Sequence, residues 1–242
     1  MRVVAIIQAR MGSTRLPGKV LADLQGRTML ARVVERLQCA SGLDELLVAT
    51  TDRPQDDAVV AECRKHSIAV ARGDQEDVLD RYYRAAQLVK AEIVVRITSD
   101  CPLIDPEITE KTVAAFLTAR PDYASNFLVR SYPRGLDTEV FSMETLARAW
   151  REASLPYQRA HVTPYIYENP AKFKMVSVAG EGDFSGYRWT VDTPEDLEFV
   201  RAIYKHFENQ RFGWRDILEL LEREPELVEM NRAIAQKALH EG

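Results

Sequence analysis

Cysteine is scarce in this chain. Its 242 residues include only Cys39, Cys63 and Cys101, with no Cys-x-x-Cys spacing, which excludes a zinc ribbon and a disulfide framework and fits a reducing compartment. No apolar run approaches the roughly 18 residues a membrane helix needs, and the first, at residues 3–7, is too short for a secretory signal core. The chain is therefore expected to be soluble and cytoplasmic, without membrane insertion. A basic surplus is missing too: 32 Lys and Arg stand against 37 Asp and Glu, a net charge of −5, which argues against a nucleic-acid partner. There are no repeats, low-complexity tracts or obvious linkers. With 46% hydrophobic and 29% charged residues, the composition is globular rather than disordered or fibrous. At about 150 residues per domain, the length allows one large domain or one domain with an appendage.

The charge balance has a local exception. Residues 1–22 carry Arg2, Arg10, Arg15 and Lys19 and no acid, which points to an anionic small ligand near the N-terminus. Around that stretch, short β-branched segments at residues 3–7, 46–51, 68–71, 93–97 and 123–127 read as buried strands. Helical patterns lie between them. Thr28 caps a run with Leu30, Val33, Val34 and Leu37 on one face; Pro54 opens a second helix; residues 77–89 form a third; Asp105-Pro106-Glu107 opens a fourth. This alternation predicts an open, doubly wound α/β fold with a mostly parallel sheet, whose ligands bind at the carboxyl ends of the strands.

The rhythm breaks at about residues 125–184, where strand-like pieces at 137–141 and 173–178 flank a helix starting near Ser142. This reads as a small α+β insertion carrying acceptor contacts or a subunit interface. It resumes with a strand at 187–191 and the helix start Thr193-Pro194-Glu195-Asp196. A main unit of residues 1–207 is thus followed by a helical tail, 208–242, amphipathic from Trp214 onward.

The loop after the first strand, Gln8-Ala9-Arg10-Met11-Gly12-Ser13-Thr14-Arg15-Leu16-Pro17-Gly18-Lys19, combines small residues (Ala9, Gly12, Ser13), whose amides a ligand can approach, with three cations. That suits a polyphosphate; a plain basic surface loop is the alternative. It is not a Walker A loop, because the spacing is one residue too long, Pro17 removes a donor and Val20 replaces the metal-holding Ser or Thr, and it has no Gly-x-Gly-x-x-Gly. Asp100, just after strand 93–97, is placed to hold Mg2+ at a nucleotide phosphate or simply to cap its turn. Asp192 sits in matching context, and two such acids grip a metal from two sides. Asp105 reads as a helix cap. Asp137 and Glu139 alternate, so on a strand they share a face that accepts hydrogen bonds from a ligand's hydroxyls or faces solvent. Arg134 or Arg188 suits an acceptor carboxylate. His161 reads as structural, and Tyr82, Tyr83 and Trp214 as core or dimer packing.

These motifs carry a resemblance. Residues 8–21 resemble the N-terminal signature of the CMP-sugar-acid synthetases, the cytidylyltransferases that activate 3-deoxy-manno-octulosonate (Kdo) and N-acylneuraminate, with Ser13-Thr14-Arg15-Leu16-Pro17-Gly18-Lys19 nearest the Kdo branch. Asp100-Cys101-Pro102-Leu103-Ile104 resembles their metal-binding turn, and Val191-Asp192-Thr193-Pro194-Glu195-Asp196-Leu197 their C-terminal acidic motif. Residues 134–141 and 156–165 are most similar to the spore coat polysaccharide biosynthesis protein F group. The resemblance implies a Rossmann-like nucleotidyltransferase fold and transfer from CTP to a sugar or sugar acid with loss of pyrophosphate. It further implies that Arg10, Arg15 and Lys19 neutralise the triphosphate, that Asp100 and Asp192 hold Mg2+, that Arg81 lies near the nucleotide, and that the chain is a homodimer. One departure weakens a sialate acceptor: Thr190-Val191-Asp192 stands where sialate synthetases tend to show Asp-x-Asp. The alternatives are another nucleotide on the same fold, in a nucleotidyl- or glycosyltransferase, and a non-catalytic nucleotide-binding protein.

Overall fold

The computed structural model describes residues 1–208 and 211–236. Its strands are β1 (Val3–Gln8), β2 (Glu45–Thr51), β3 (Ala69–Gly73), β4 (Ile93–Thr98), β5 (Tyr123–Ser125), β6 (Glu139–Ser142) and β7 (Met175–Ser177). They form one sheet in the order β3-β2-β1-β4-β6-β5-β7. The β1–β2, β1–β4, β2–β3 and β5–β7 pairs are parallel, while β6 is antiparallel to both β4 and β5. The doubly wound, mostly parallel sheet is the predicted one. Its strand order reverses between β1 and β4, which end level with each other, Gln8 opposite Thr98, so the crevice expected at such a switch point opens beyond those two residues.

Helices α1 (Met29–Leu37), α2 (Asp57–Lys65), α3 (Val78–Leu88) and α4 (Pro106–Ala119) cover this half of the sheet. In β1, Val3, Ala5 and Ile7 pack into a layer with α1, α2 and α4, and Val4 and Ile6 into the opposite layer with α3. Both faces are dry, so the strand reads as a continuous apolar run rather than an alternating one. Helix starts follow the capping signals. Thr28 Oγ1 accepts from the Ala31 amide at 3.1 Å, and Asp105 Oδ1 from those of Glu107 and Ile108 at 3.0 and 3.2 Å. Thr193 and Asp196 cap each other reciprocally at the start of α8 (Pro194–Phe207).

Residues 125–184 contribute β6 and β7 to the same sheet, together with α5 (Met143–Glu152), α6 (Pro156–His161) and α7 (Pro164–Tyr167). The strands here are shorter or shifted relative to expectation. β5 stops at Ser125, and β6 begins at Glu139, leaving Asp137 outside it. Residues 187–191 are not a sheet strand. They run extended, joined to Arg134 by an isolated bridge, because their amides and carbonyls pair with loops instead.

The tail is not one continuous helix either. It forms α9 (Trp214–Arg223) and the short α10 (Glu226–Glu229), broken where Pro225 removes a donor and disfavours helical backbone at Glu224. Residues 230–236 are non-helical, and the remainder of the expected helix lies outside the described residues. Trp214, Ile217, Leu220 and Leu221 of α9 are buried with Trp189, Val191 and the apolar face of α8 in a third core cluster. Among the described residues no helix is long and apolar enough to cross a membrane.

Candidate active site

The loop of residues 9–18 lies beyond the carboxyl end of β1. Met11 folds this loop: its amide donates to Asp56 Oδ1 at 2.6 Å, and its carbonyl accepts from the Ser13 and Gly18 amides at 2.9 and 3.0 Å. Gly18 takes φ +73°, a left-handed turn that leads into a tight turn at Lys19–Leu21 anchored by buried Val20. The amides of Gly12, Thr14 and Arg15 find no acceptor among the described residues, leaving donors for an anion.

Opposite, the turn after β4 carries Asp100. The extended segment 187–192 is laid against it because the Val191 amide and the Thr190 hydroxyl both donate to the Asp100 carbonyl, at 2.8 and 3.1 Å. Thr190, where the sialate branch tends to have an acid, thus fastens the Asp100 turn through its hydroxyl. On its other side the segment presses on Gly135. A Cβ there would lie 2.6 Å from the Trp189 backbone carbon, and φ is +107°, so only glycine permits the contact.

Three loops from distant parts of the sequence therefore meet at Lys19. Its Nζ lies 2.9 Å from Asp192 Oδ1, 3.3 Å from Asp100 Oδ2 and 2.6 Å from the Val191 carbonyl. Arg15 Nη2 is 3.0 Å from Asp192 Oδ2, and Arg188 Nη2 reaches the same oxygen at 2.9 Å. Burial acts to lower the Lys19 pKa, but Asp100 and Asp192 outweigh it and raise it. Burial likewise acts to raise the Asp192 pKa, and Lys19, Arg15 and Arg188 hold it below the ordinary value. Lys19 stays an ammonium and Asp192 a carboxylate.

Among the described residues no group of three or more His, Cys, Asp or Glu is placed to hold a metal ion. Magnesium does not need one: it is commonly held by one or two carboxylates together with substrate phosphates and water. The Lys19 ammonium shows that the Asp100 and Asp192 carboxylates and the Val191 carbonyl converge on a single cation, so these hard oxygen donors fit a divalent metal once phosphate oxygens join them.

The other expected site residues divide. Arg10 is exposed on the loop. Arg81, which helix position alone leaves solvated, is only 2% exposed; Nη1 donates to the Asp74 carbonyl at 2.8 Å and Nε has no partner among the described residues. Burial is the main reason its pKa is lowered, and nearby Arg10 pushes the same way. Arg134 is half-buried, with no carboxylate within ion-pair distance among the described residues; burial, then the neighbouring Arg130, depresses its pKa. Arg188 is different, since Nε, Nη1 and Nη2 are all engaged within the protein. Asp137 and Glu139 do not form a same-side pair. Arg130 holds Asp137 through two bonds of 2.6 and 2.9 Å, and Glu139, 3% exposed, is clasped by Arg96 and by Tyr123 Oη at 2.8 Å. Arg96 also donates to Gln8 Oε1 at 3.0 Å. Asp105 caps α4 as expected, while Tyr82 and Trp214 are core.

Sequence reasoning missed Asp56, Arg96 and Arg130. Arg96 had a signal, a lone cation inside an apolar strand. Asp56 had none beyond its place in a helix start.

Residues 4–234 match the family model described as cytidylyltransferase. The chain resembles a solved cytidylyltransferase from Leptospira borgpetersenii, at 36% identity and TM-score 0.92, covering 98% of this chain and all of that one. It is 35% identical to the spore coat polysaccharide biosynthesis protein SpsF of Bacillus subtilis, covering 93% of this chain and 95% of that protein. It is 33% identical to a 3-deoxy-manno-octulosonate cytidylyltransferase of Anaeromyxobacter dehalogenans, over 83% of this chain and 97% of that one. With that match running through all three loops that meet at Lys19, the chain belongs to the cytidylyltransferase family and is a nucleotidyltransferase.

Proposed function

We propose that this enzyme is a Mg2+-dependent cytidylyltransferase that transfers the CMP moiety of CTP to a hydroxyl of a sugar or sugar acid, releasing pyrophosphate, in the synthesis of a surface polysaccharide. The observation that carries the reading is the convergence of Lys19 and Arg15 on Asp100 and Asp192. The acceptor class rests on the similarity to the Bacillus spore-coat protein and the Kdo cytidylyltransferase. Arg10, Arg15 and Lys19, with the open loop amides, neutralise the triphosphate. As the acceptor oxygen bonds to the α-phosphorus and the bond to pyrophosphate breaks, the growing charge of the leaving group falls to these cations. Asp100 and Asp192 would hold Mg2+, which supplies further charge neutralisation at the phosphates. No covalent intermediate is needed, so positioning and electrostatics carry the rate. Arg134, half-buried and with no carboxylate within ion-pair distance among the described residues, binds an acceptor carboxylate. The insertion, where Val129 and Leu155 stand exposed, joins two copies; a monomer mass by sedimentation at working concentration would refute that dimer.

The test is thermal stabilisation by CTP, UTP, GTP and ATP, each with and without Mg2+, since a ligand that binds only the folded state raises its stability by mass action. A selective, Mg2+-enhanced shift with CTP is expected, followed by pyrophosphate release with sugar-acid acceptors. A shift with another triphosphate alone overturns the base assignment, and no shift with any overturns the phosphate site.

A further inference from the structure

Three cations hold Asp192, and they are not equivalent. Lys19 and Arg15 come from the phosphate loop and belong to the triphosphate once it binds. Arg188 does not, because every nitrogen of its guanidinium is engaged within the protein. Nε and Nη2 fork onto Asp196 Oδ1 and Oδ2 at 2.8 and 3.0 Å, Nη2 also donates to Asp192 Oδ2 at 2.9 Å, and Nη1 donates to Gln236 Oε1 at 2.7 Å. Asp196 is itself fixed: its Oδ2 accepts from the amides of Asp192 and Thr193 at 2.9 and 3.0 Å.

The fork is closed from the tail. Asn231, 4% exposed, donates through Nδ2 to the Arg188 carbonyl at 2.9 Å and to Asp196 Oδ1 at 3.0 Å. One amide group from beyond α10 thereby ties the backbone of Arg188 to the carboxylate that its own guanidinium grips. With Oδ2 of Asp192 held by Arg188, Oδ1 is the oxygen turned toward Lys19 and Asp100. We propose that Asn231 is a positioning residue for the transfer reaction: it locks the Arg188–Asp196 fork so that Asp192 Oδ1 keeps facing the cation seat after Lys19 and Arg15 move to the triphosphate. Gln236 steadies the same guanidinium from its outer side. The inference rests on the reading that Asp100 and Asp192 hold Mg2+. Partners that orient a ligating carboxylate in this way are typically worth about 10- to 100-fold in metal affinity.

The experiment titrates Mg2+ into protein with CTP and reads the Mg2+ concentration for half-maximal stabilisation in wild type, Asn231→Ala and Gln236→Ala. For Asn231→Ala, a rise of about 10-fold is expected, with CTP binding in the absence of metal unchanged and turnover recovering at high Mg2+. A purely structural brace would instead lower Tm and leave the half-saturation point in place, and that result overturns the proposal. Should Asn231→Ala fail to fold, Gln236→Ala at the exposed end of the segment decides: a smaller rise of the same sign supports the proposal and an unchanged midpoint overturns it. A wild-type protein that binds CTP without any Mg2+ dependence sinks the metal reading itself, and this inference with it, whereas normal wild-type dependence with an unshifted variant sinks the inference alone.

Discussion

At Lys19 a side-chain ammonium occupies the point on which two carboxylates and a carbonyl converge. A divalent ion entering the nucleotide-free protein must displace that charge; in the proposed reaction the triphosphate would draw it away. In Lys19→Met the two acids lose their shared counter-ion, so the nucleotide-free variant should bind Mn2+ in a direct titration while wild type binds it only with CTP present. Its turnover should fall about 100-fold or more, the scale for losing one charge-stabilising group. Asp100 is 30% exposed, and Lys19 is its one ion-pair partner among the described residues. Asp100→Asn should therefore leave Tm almost unchanged while turnover drops by about 100-fold or more; unchanged turnover would sink the proposed metal role. Asp192 differs, being held below its ordinary pKa against the effect of burial. A depressed carboxylate adds stability above its unfolded pKa, about 3.9, and loses it as the pH falls through the lower folded value. Asp192→Asn should flatten the fall of Tm as the pH drops below about 4, as a calorimetric pH series would show.

What the sequence made legible follows the range of the interaction involved. The strands β1 and β4 and the caps Thr28, Asp105 and Thr193 could be read because their signals are local: β-branched runs, and a cap within three residues of the amide it accepts from. The extended segment at 187–191 could not, since its partners, Arg134 and Asp100, are dozens of residues away and its aromatic and branched side chains look the same inside a sheet or beside one. Gly135 is what admits it. The Asp137/Glu139 pair misled for a related reason, because alternation presumes a strand through both residues, and β6 starts at Glu139. Buried Glu139 instead joins β6 to β4 through Arg96, just behind Gln8 at the root of the loop at residues 9–18. Removing one partner of such a buried pair typically costs about 3–5 kcal/mol. Glu139→Ala should lose stability of that order in urea unfolding and move the loop through Gln8; a loss of acceptor affinity at full stability would instead make Glu139 a substrate contact.

Across the whole molecule, the three loops of the site are spread over nearly two hundred residues and meet because β1 and β4 are neighbours and segment 187–192 is pinned between Gly135 and Asp100. The tail lies behind that segment. Trp214, Ile217, Leu220 and Leu221 are all buried, packed with Trp189, Val191, Phe199 and Ile203. Each such side chain contributes about 1.5–3 kcal/mol by its burial. Four of them together supply about 6–12 kcal/mol, comparable to the entire stability of a typical domain, about 5–15 kcal/mol. Truncation after residue 207 should therefore not yield a folded catalytic unit with an appendage removed; it should expose Trp189 and the α8 face, abolish cooperative melting and bind a hydrophobic dye. Truncation after Met230 keeps all four side chains and removes Asn231 onward, so that protein should still melt cooperatively while requiring more Mg2+ to respond to CTP. Cooperative melting of the 1–207 fragment near the wild-type temperature would show that the third core cluster is dispensable and the tail an independent addition.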